Sequence, residues 1–311
     1  MLLGAGAGAG VAAGFNAPIA GVFFTLEIVK DTFSTTETSK PFVAATLLCA
    51  AVSALVARIG LKEELALRPA LYNLESPLVE LPLYLGLGLL SGCVAAMFKF
   101  FLTKSKDAFE GRVPLFRWMA KVPKWTKPAM GAAITGAAGF FYPQVLFFGY
   151  ETLDNLLSSS TGDYTPSLLL TLCVLKAGLT AIALGSGLVG GTFAPALFLG
   201  ATAGAAYQKV LVSALSAAGS FRSALAAMVG GLWGLGQVFS PLATALGLPA
   251  LAAGGVLDMS SIIRVADEPA YAMVGAASVL SAVYRAPLTG SLLLFELTKD
   301  YDIVLPLMAS A

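Results

Sequence analysis

Long runs of uncharged, mostly apolar residues dominate the chain. They cover residues 1–26, 41–57, 81–98, 128–150, 177–208 and 223–257. A helix needs about 18 or more such residues to cross the hydrocarbon core of a bilayer. All of these runs except 41–57 reach that length, and 41–57 lies at its lower limit. The pattern therefore predicts an all-α, polytopic membrane protein embedded in a lipid bilayer.

Two of the runs, 177–208 and 223–257, are longer than one membrane span and contain internal Gly and Pro residues. We expect each to hold two shorter or broken helices. Broken helices are tolerated at membrane depth only where their backbone is buried in protein or lines a wet cavity. This feature favours a channel or transporter over a simple helical bundle.

The charged residues gather between the apolar runs. Residues 61–80 lean acidic, whereas residues 99–127 carry eight Lys and Arg side chains against Asp107 and Glu110. We expect both stretches to be solvated loops. By the positive-inside rule, 99–127 faces the cytoplasm or the equivalent side of an organelle.

Composition narrows the function classes. The 311 residues are 57% hydrophobic and only 12% charged, with a mean hydropathy of +0.82, whereas soluble domains carry about 25% charge. A net charge of +1 offers no basic field for nucleic acid. Cys49, Cys93 and Cys173 lie inside apolar runs and are interpreted as small core residues. The chain has no His, and we expect neither a metal site nor a cofactor.

An enzymatic function is also disfavoured. A serine-type intramembrane protease needs a Ser–His pair, which a chain without His cannot form. An aspartyl type needs two facing intramembrane aspartates. Asp302 is one candidate, but Asp163 lies in a polar stretch without an apolar flank.

An internal repeat links the two ends of the chain. FNAPIAG at 15–21 is followed by an apolar run that ends at Glu27, nine residues after its proline. YRAPLTG at 284–290 is followed by an equivalent run that ends at Glu296, again nine residues after its proline. A Gly/Ala-rich helix precedes each copy. Matching segments in two halves are typical of duplicated, often inverted, transporter architectures.

The GGTFAP sequence at 190–195 has the composition of an anion site. Pro195 suits the first turn of a helix, and the preceding glycines let the backbone turn sharply. The candidate binding residues are Gly191, Thr192, Phe193, Ala194 and Pro195. Free N–H groups at such a helix start, aided by the helix dipole, hold an anion without a cationic side chain. A helix-breaking hinge explains the same spacing equally well.

Three motifs resemble the CLC family of chloride channels and chloride/proton antiporters. They are GSGLVGGTFAP at 185–195, FNAPIAG leading to Glu27, and APLTGSLLLFELTKDYDIVLPL at 286–307. The resemblance implies that the amides of Thr192 and Phe193 coordinate a central chloride. It also implies the passage of chloride or a similar small anion across the membrane.

The chain departs from the family pattern at both ends. The first-half anion loop and the loop with the gating glutamate would precede Met1, and the pore-lining tyrosine would follow Ala311. We expect no soluble regulatory domain. We therefore expect 1–311 to be an incomplete transmembrane domain, and a non-conducting truncated subunit remains an alternative.

Glu27 and Glu296 are intramembrane acids, which are functional candidates by default. Family antiporters resemble this region but carry a second, proton-accepting glutamate directly after the first, where this chain has Ile28. The sequence is therefore channel-like, with antiport through another acid as the alternative. For Glu27 and Glu296 we expect a structural role, bonding backbone N–H groups.

Two cations, Lys176 and Arg285, stand in long apolar stretches. Lys176 either adds positive potential near an anion vestibule or extends its ammonium to the interface. Arg285, just before Pro287, is expected to be exposed at the interface.

The resemblance also implies a homodimer with one pore per subunit. The interface helices would be 17–29, 41–58, 270–283 and 286–298, which are rich in Ala and Gly. The ending FELTKDYDIVLPLM is most similar to the plant, algal and cyanobacterial branch of the family. This suggests a plastid, thylakoid or other internal membrane.

Overall fold

The computed structural model describes residues 2–29, 40–60, 80–147, 149–157, 164–232 and 266–311, with side chains up to 217 in the fifth range. Within these ranges all regular secondary structure is helical. The α-helices are α1 (Leu2–Phe15), α2 (Pro18–Phe24), α3 (Lys40–Gly60), α4 (Leu81–Phe109), α5 (Lys127–Phe141), α6 (Tyr150–Leu157), α7 (Pro166–Gly185), α8 (Phe193–Leu232), α9 (Glu268–Tyr284), α10 (Pro287–Thr298) and α11 (Val304–Ser310). A π-helical segment, Thr25–Val29, continues α2, and two 3₁₀ segments cover Pro114–Lys121 and Pro143–Val145.

Three of the described helices, α3, α4 and α7, are long and apolar enough to cross a membrane. They cover the predicted runs 41–57 and 81–98 and the start of 177–208. Helix α4 is longer than the apolar run 81–98 and continues to Phe109. We had expected the basic stretch 99–127 to be a loop. Its first part is instead helical.

The predicted break in the run 177–208 is present. Helix α7 ends at Gly185 and α8 begins at Phe193. Between them Gly187 adopts a φ of +98°, a conformation that side-chain-bearing residues rarely take. The second predicted break, in 223–257, falls mostly outside the described residues, as do the linkers 31–39 and 61–79.

The two copies of the repeat have the same backbone conformation. Asn16 and Arg285 both take a left-handed turn, with φ of +52° and +57°. The next residues, Ala17 and Ala286, have φ/ψ of −127°/78° and −130°/74°. In each copy a proline then opens the following helix. The repeat predicted from spacing is thus also a structural repeat.

Helix α9 lies at the centre of the fold, with residues 269–281 all buried. Glycines allow its backbone to contact that of α8: a Cβ on Gly200 would collide with the carbonyl of Gly275, and one on Gly204 with that of Tyr271. Such small residues permit close helix packing in membranes. Because α9 is buried within its own chain, it leaves almost no surface for a second copy, and the expected interface segment 270–283 is wrong.

Glu80 also departs from its expected place in a solvated loop. Its side chain is fully buried, and Oε2 accepts hydrogen bonds from the hydroxyls of Tyr84 at 3.1 Å and Tyr271 at 3.2 Å. The two tyrosine rings stack with centroids 4.9 Å apart. The cluster fixes the start of α4 against the start of α9.

Candidate anion site

The start of α8 presents backbone N–H groups that no described residue accepts. The carbonyl of Thr192 accepts the first bond of the helix, at 3.0 Å. The N–H groups of Phe193 and Ala194 have no partner in the described parts of the chain, and Pro195 has no N–H. Gly191 is exposed, Thr192 and Phe193 are half-buried, and the next two residues are buried. The predicted binding residues therefore do lie together at a helix start.

Aromatic rings contact Phe193, the first residue of α8. The ring of Phe193 lies 5.3 Å from Phe15, 5.8 Å from Phe24 and 5.9 Å from Tyr284, measured between centroids. Phe15 and Tyr284 occupy the same position in the two copies of the repeat. The Phe193 ring is therefore contacted by equivalent residues from both copies.

Tyr284 also contacts this helix start, which its position in the sequence did not indicate. Its hydroxyl lies 2.6 Å from Thr192 Oγ1. The repeat showed that Tyr284 is equivalent to Phe15. It did not indicate that either ring would contact residues 190–195.

The intramembrane acids bond to backbone N–H groups of the other repeat copy. Glu27 accepts from the N–H of Leu288 at 3.2 Å, and from the N–H and hydroxyl of Thr289 at 2.7 Å each. Glu296 accepts from the N–H groups of Ile19 at 3.0 Å and Ala20 at 2.7 Å. The Glu27 carboxylate thus caps the start of α10, which carries Glu296, and the Glu296 carboxylate caps the start of α2, which leads to Glu27. These contacts agree with a structural role.

Two of the three helix starts with a motif proline are therefore already occupied. A carboxylate of the chain itself fills the start of α2 and another fills the start of α10. At the start of α8 the side chain of Thr192 turns to Tyr284 instead of capping its own helix. Only this one of the three is left with donors for an external anion.

The two lone cations differ in their surroundings. Lys176 is 3% exposed, and its ammonium donates to the carbonyls of Val145 at 2.8 Å and Phe147 at 2.7 Å. It also lies 5.2 Å from the centroid of the Phe198 ring. The ammonium is therefore held inside the chain and does not extend to the interface. Arg285 is exposed, as predicted.

The cysteines differ in their exposure to the surface. Cys173 is buried, but Cys49 and Cys93 are exposed, so the core interpretation was wrong for these two. Among the residues that the structure describes, no group of three or more Cys, Asp or Glu side chains could hold a metal ion.

Comparison with known proteins identifies the family. The family model described as voltage gated chloride channel matches residues 1–311. The chain belongs to the voltage-gated chloride channel (CLC) family. Among curated CLC relatives, it is 37% identical to chloride channel protein CLC-e of Arabidopsis thaliana, over 99% of this chain and 38% of the relative. It is 28% identical to the H⁺/Cl⁻ exchange transporter ClcA of Klebsiella pneumoniae, over 99% of this chain and 53% of the relative.

Solved CLC structures share the fold. A slow cyanobacterial Cl⁻/H⁺ antiporter matches with a TM-score of 0.65 at 23% identity, covering 99% of this chain and 59% of that one. A CLC-type fluoride/proton antiporter matches with a TM-score of 0.61 at 18% identity, covering 98% and 60%. The chain thus spans about two fifths to three fifths of the length of these CLC proteins.

Proposed function

We propose that this CLC chain forms the part of an anion pathway in which backbone N–H groups at the start of α8 hold chloride or a similar small anion. The observation that carries the proposal is the pair of unpartnered N–H groups of Phe193 and Ala194. Membership of the family supplies the substrate class. The binding residues are those at 191–195, and the mechanism requires no cofactor.

The donors of this site suit an ion that has to leave again. Backbone N–H groups and the helix dipole supply only partial positive charge, whereas a Lys or Arg partner would hold a small anion more tightly. Conduction requires binding that is favourable but weak enough for release. The buried ammonium of Lys176 is engaged with two carbonyls. The proposed site is therefore a weak one formed by the main chain.

We propose passive, channel-like permeation, because Ile28 has no group that could carry a proton. The second candidate is anion/proton antiport through another acid. It is favoured by the names of similar proteins, since ClcA is an exchange transporter and both structural neighbours are antiporters. Glu27 and Glu296 are poor candidates for that acid, because each is engaged by backbone N–H groups.

The binding proposal is tested by removing one N–H group. Phe193→Pro deletes the N–H at a position where proline fits a helix, and Phe193→Ala is the matched control that loses the ring but keeps the N–H. A hydrogen bond to a charged group contributes about 1.5–3 kcal/mol. We therefore expect about 10- to 100-fold weaker chloride binding in Phe193→Pro than in Phe193→Ala, measured by calorimetry on the purified protein. Equal affinities would refute the site.

The transport proposal is tested in liposomes with an imposed chloride gradient. Passive permeation predicts chloride flux without proton movement. Proton uptake coupled to chloride flux would instead establish antiport. If the chain in liposomes carries neither ion, the alternative of a non-conducting part of an assembly is supported. This alternative stays open because the chain spans only part of the length of its relatives.

For assembly we propose a homodimer in an internal membrane, through α2, α3 and α10. Helix α3 exposes a run of large apolar side chains, including Leu48, Val56 and Ile59. Ile19 and Leu288, which are equivalent in the repeat, are also exposed on α2 and α10. Counting photobleaching steps of labelled protein in bilayers tests this assembly, and a single step per particle would contradict it.

A further inference from the structure

The hydroxyls of Thr192 and Tyr284 form a pair beside the start of α8. Their oxygens lie 2.6 Å apart, and they join the residue before α8 to the last residue of α9. The Tyr284 ring also contacts Phe193, with centroids 5.9 Å apart. Tyr284 is thus held at its hydroxyl by Thr192 and at its ring by Phe193, the first residue of α8.

The pair has one more hydrogen than it uses. Each hydroxyl carries one donor hydrogen, and the contact between the two oxygens consumes only one of them. In the described part of the chain neither oxygen has another hydrogen-bond partner. Whichever hydroxyl donates to the other, one O–H stays free beside the unpartnered N–H groups of Phe193 and Ala194. Such a cluster of donors fits a ligand that only accepts hydrogen bonds.

Two cationic side chains, Lys99 and Arg285, lie near Tyr284. Lys99 donates to the carbonyl of Ala282, at 3.2 Å and two residues before Tyr284. Arg285 follows Tyr284 directly and is exposed. The acids of the repeat are bonded to helix starts of the other copy and do not accept the spare hydrogen. The surroundings therefore favour an anionic acceptor.

We infer that Tyr284 is a direct ligand of the permeating anion, because its hydroxyl, paired with that of Thr192, lies beside the free N–H groups that start α8. This inference rests on the proposed function and adds a side-chain donor to that site. A phenol is a stronger hydrogen-bond donor than an aliphatic alcohol. The Tyr284 O–H therefore points to the anion, while Thr192 donates to the Tyr284 oxygen and polarises it. A directional O–H donor favours chloride over larger, more weakly hydrated halides.

The test is chloride and bromide titration of Tyr284→Phe, which removes only the hydroxyl. We expect about a 10-fold loss of chloride affinity, the order of one hydrogen bond to a charged group, and a smaller loss for bromide. Thr192→Val should lose less than Tyr284→Phe, because it removes only the polarising partner. Tyr301→Phe is the matched control, since Tyr301 is 80% exposed and its ring packs against Phe295.

A spectroscopic readout separates direct ligation from a structural role. Chloride binding should change the tyrosine absorption of the wild type and of Tyr301→Phe, but not that of Tyr284→Phe. If Phe193→Pro binds chloride more weakly than Phe193→Ala while Tyr284→Phe binds as the wild type does, the role of Tyr284 is refuted and the site stands. If Phe193→Pro and Phe193→Ala bind chloride equally, the proposed site fails and the inference with it.

Discussion

Removal of the Glu296 carboxylate tests how much the reciprocal caps stabilise the fold. Glu296→Ala leaves the N–H groups of Ile19 and Ala20 without their acceptors, which lie at 3.0 and 2.7 Å. A buried donor that loses its partner costs about 1–3 kcal/mol. Since Ile19 is 47% exposed and Ala20 is buried, we expect a total of about 3 kcal/mol.

This loss is measurable by thermal unfolding of the purified protein in detergent. Domains of 150–250 residues shift by about 2–4 °C per kcal/mol, and longer chains shift less, so Glu296→Ala should lower Tm by about 6 °C. Glu296→Gln keeps one acceptor oxygen and should lose about half as much. Glu27→Ala should lose more than Glu296→Ala, because Glu27 also accepts from the Thr289 hydroxyl.

The matched control is Glu151→Ala. Glu151 is exposed in the first turn of α6, where its interaction with the helix dipole contributes less than about 1 kcal/mol. Because both caps join the same two helices, the double variant of Glu27 and Glu296 should lose less than the sum of the single losses. A Tm loss in Glu296→Ala no larger than in Glu151→Ala would refute the stabilising role of the caps.

Two further predictions concern packing and the buried ammonium. Gly200→Ala should lower the free energy of unfolding by about 1–3 kcal/mol, because its Cβ would meet the Gly275 carbonyl. Gly178 faces open space, so Gly178→Ala should be neutral or stabilising. Equal Tm values for the two variants would contradict the contact. Lys176→Met should cost about 2–4 kcal/mol by leaving two carbonyls unpaired, with chloride affinity unchanged and exposed Lys124→Met as control. A loss of chloride affinity without a Tm change would instead assign Lys176 to the pathway.

The sequence was informative where a local pattern determines structure. Hydropathy located the spanning helices α3, α4 and α7, and the glycines and proline at 190–195 located the break before α8. The repeat was visible because both copies keep the same spacing from proline to glutamate. It was then matched in backbone detail by the left-handed turns at Asn16 and Arg285.

Contacts between distant segments were not predictable in this way. Glu27 and Thr289 are separated by 262 positions, and spacing within each copy does not indicate which helix start a carboxylate reaches. Lipid and protein interior are both apolar, so hydropathy cannot distinguish exposed Cys49 from buried Cys173. The interface interpretation of Lys176 was wrong for a similar reason, because its carbonyl partners come from a separate segment, at and just after the 3₁₀ turn Pro143–Val145.

The repeat explains how an open helix start persists beside its two copies. Unpartnered N–H groups inside a membrane protein are costly, so 186–192 could lower its energy by refolding into continuous helix. The proline at 195 and the glycines before it oppose that refolding. Phe15 and Tyr284, one from each copy, fix the Phe193 ring from two sides. Because Glu27 and Glu296 are bonded to each other's helix starts, no intramembrane carboxylate of the repeat is left to neutralise the donors of α8. In the proposed function, an anion from solution supplies the acceptor that these two carboxylates do not.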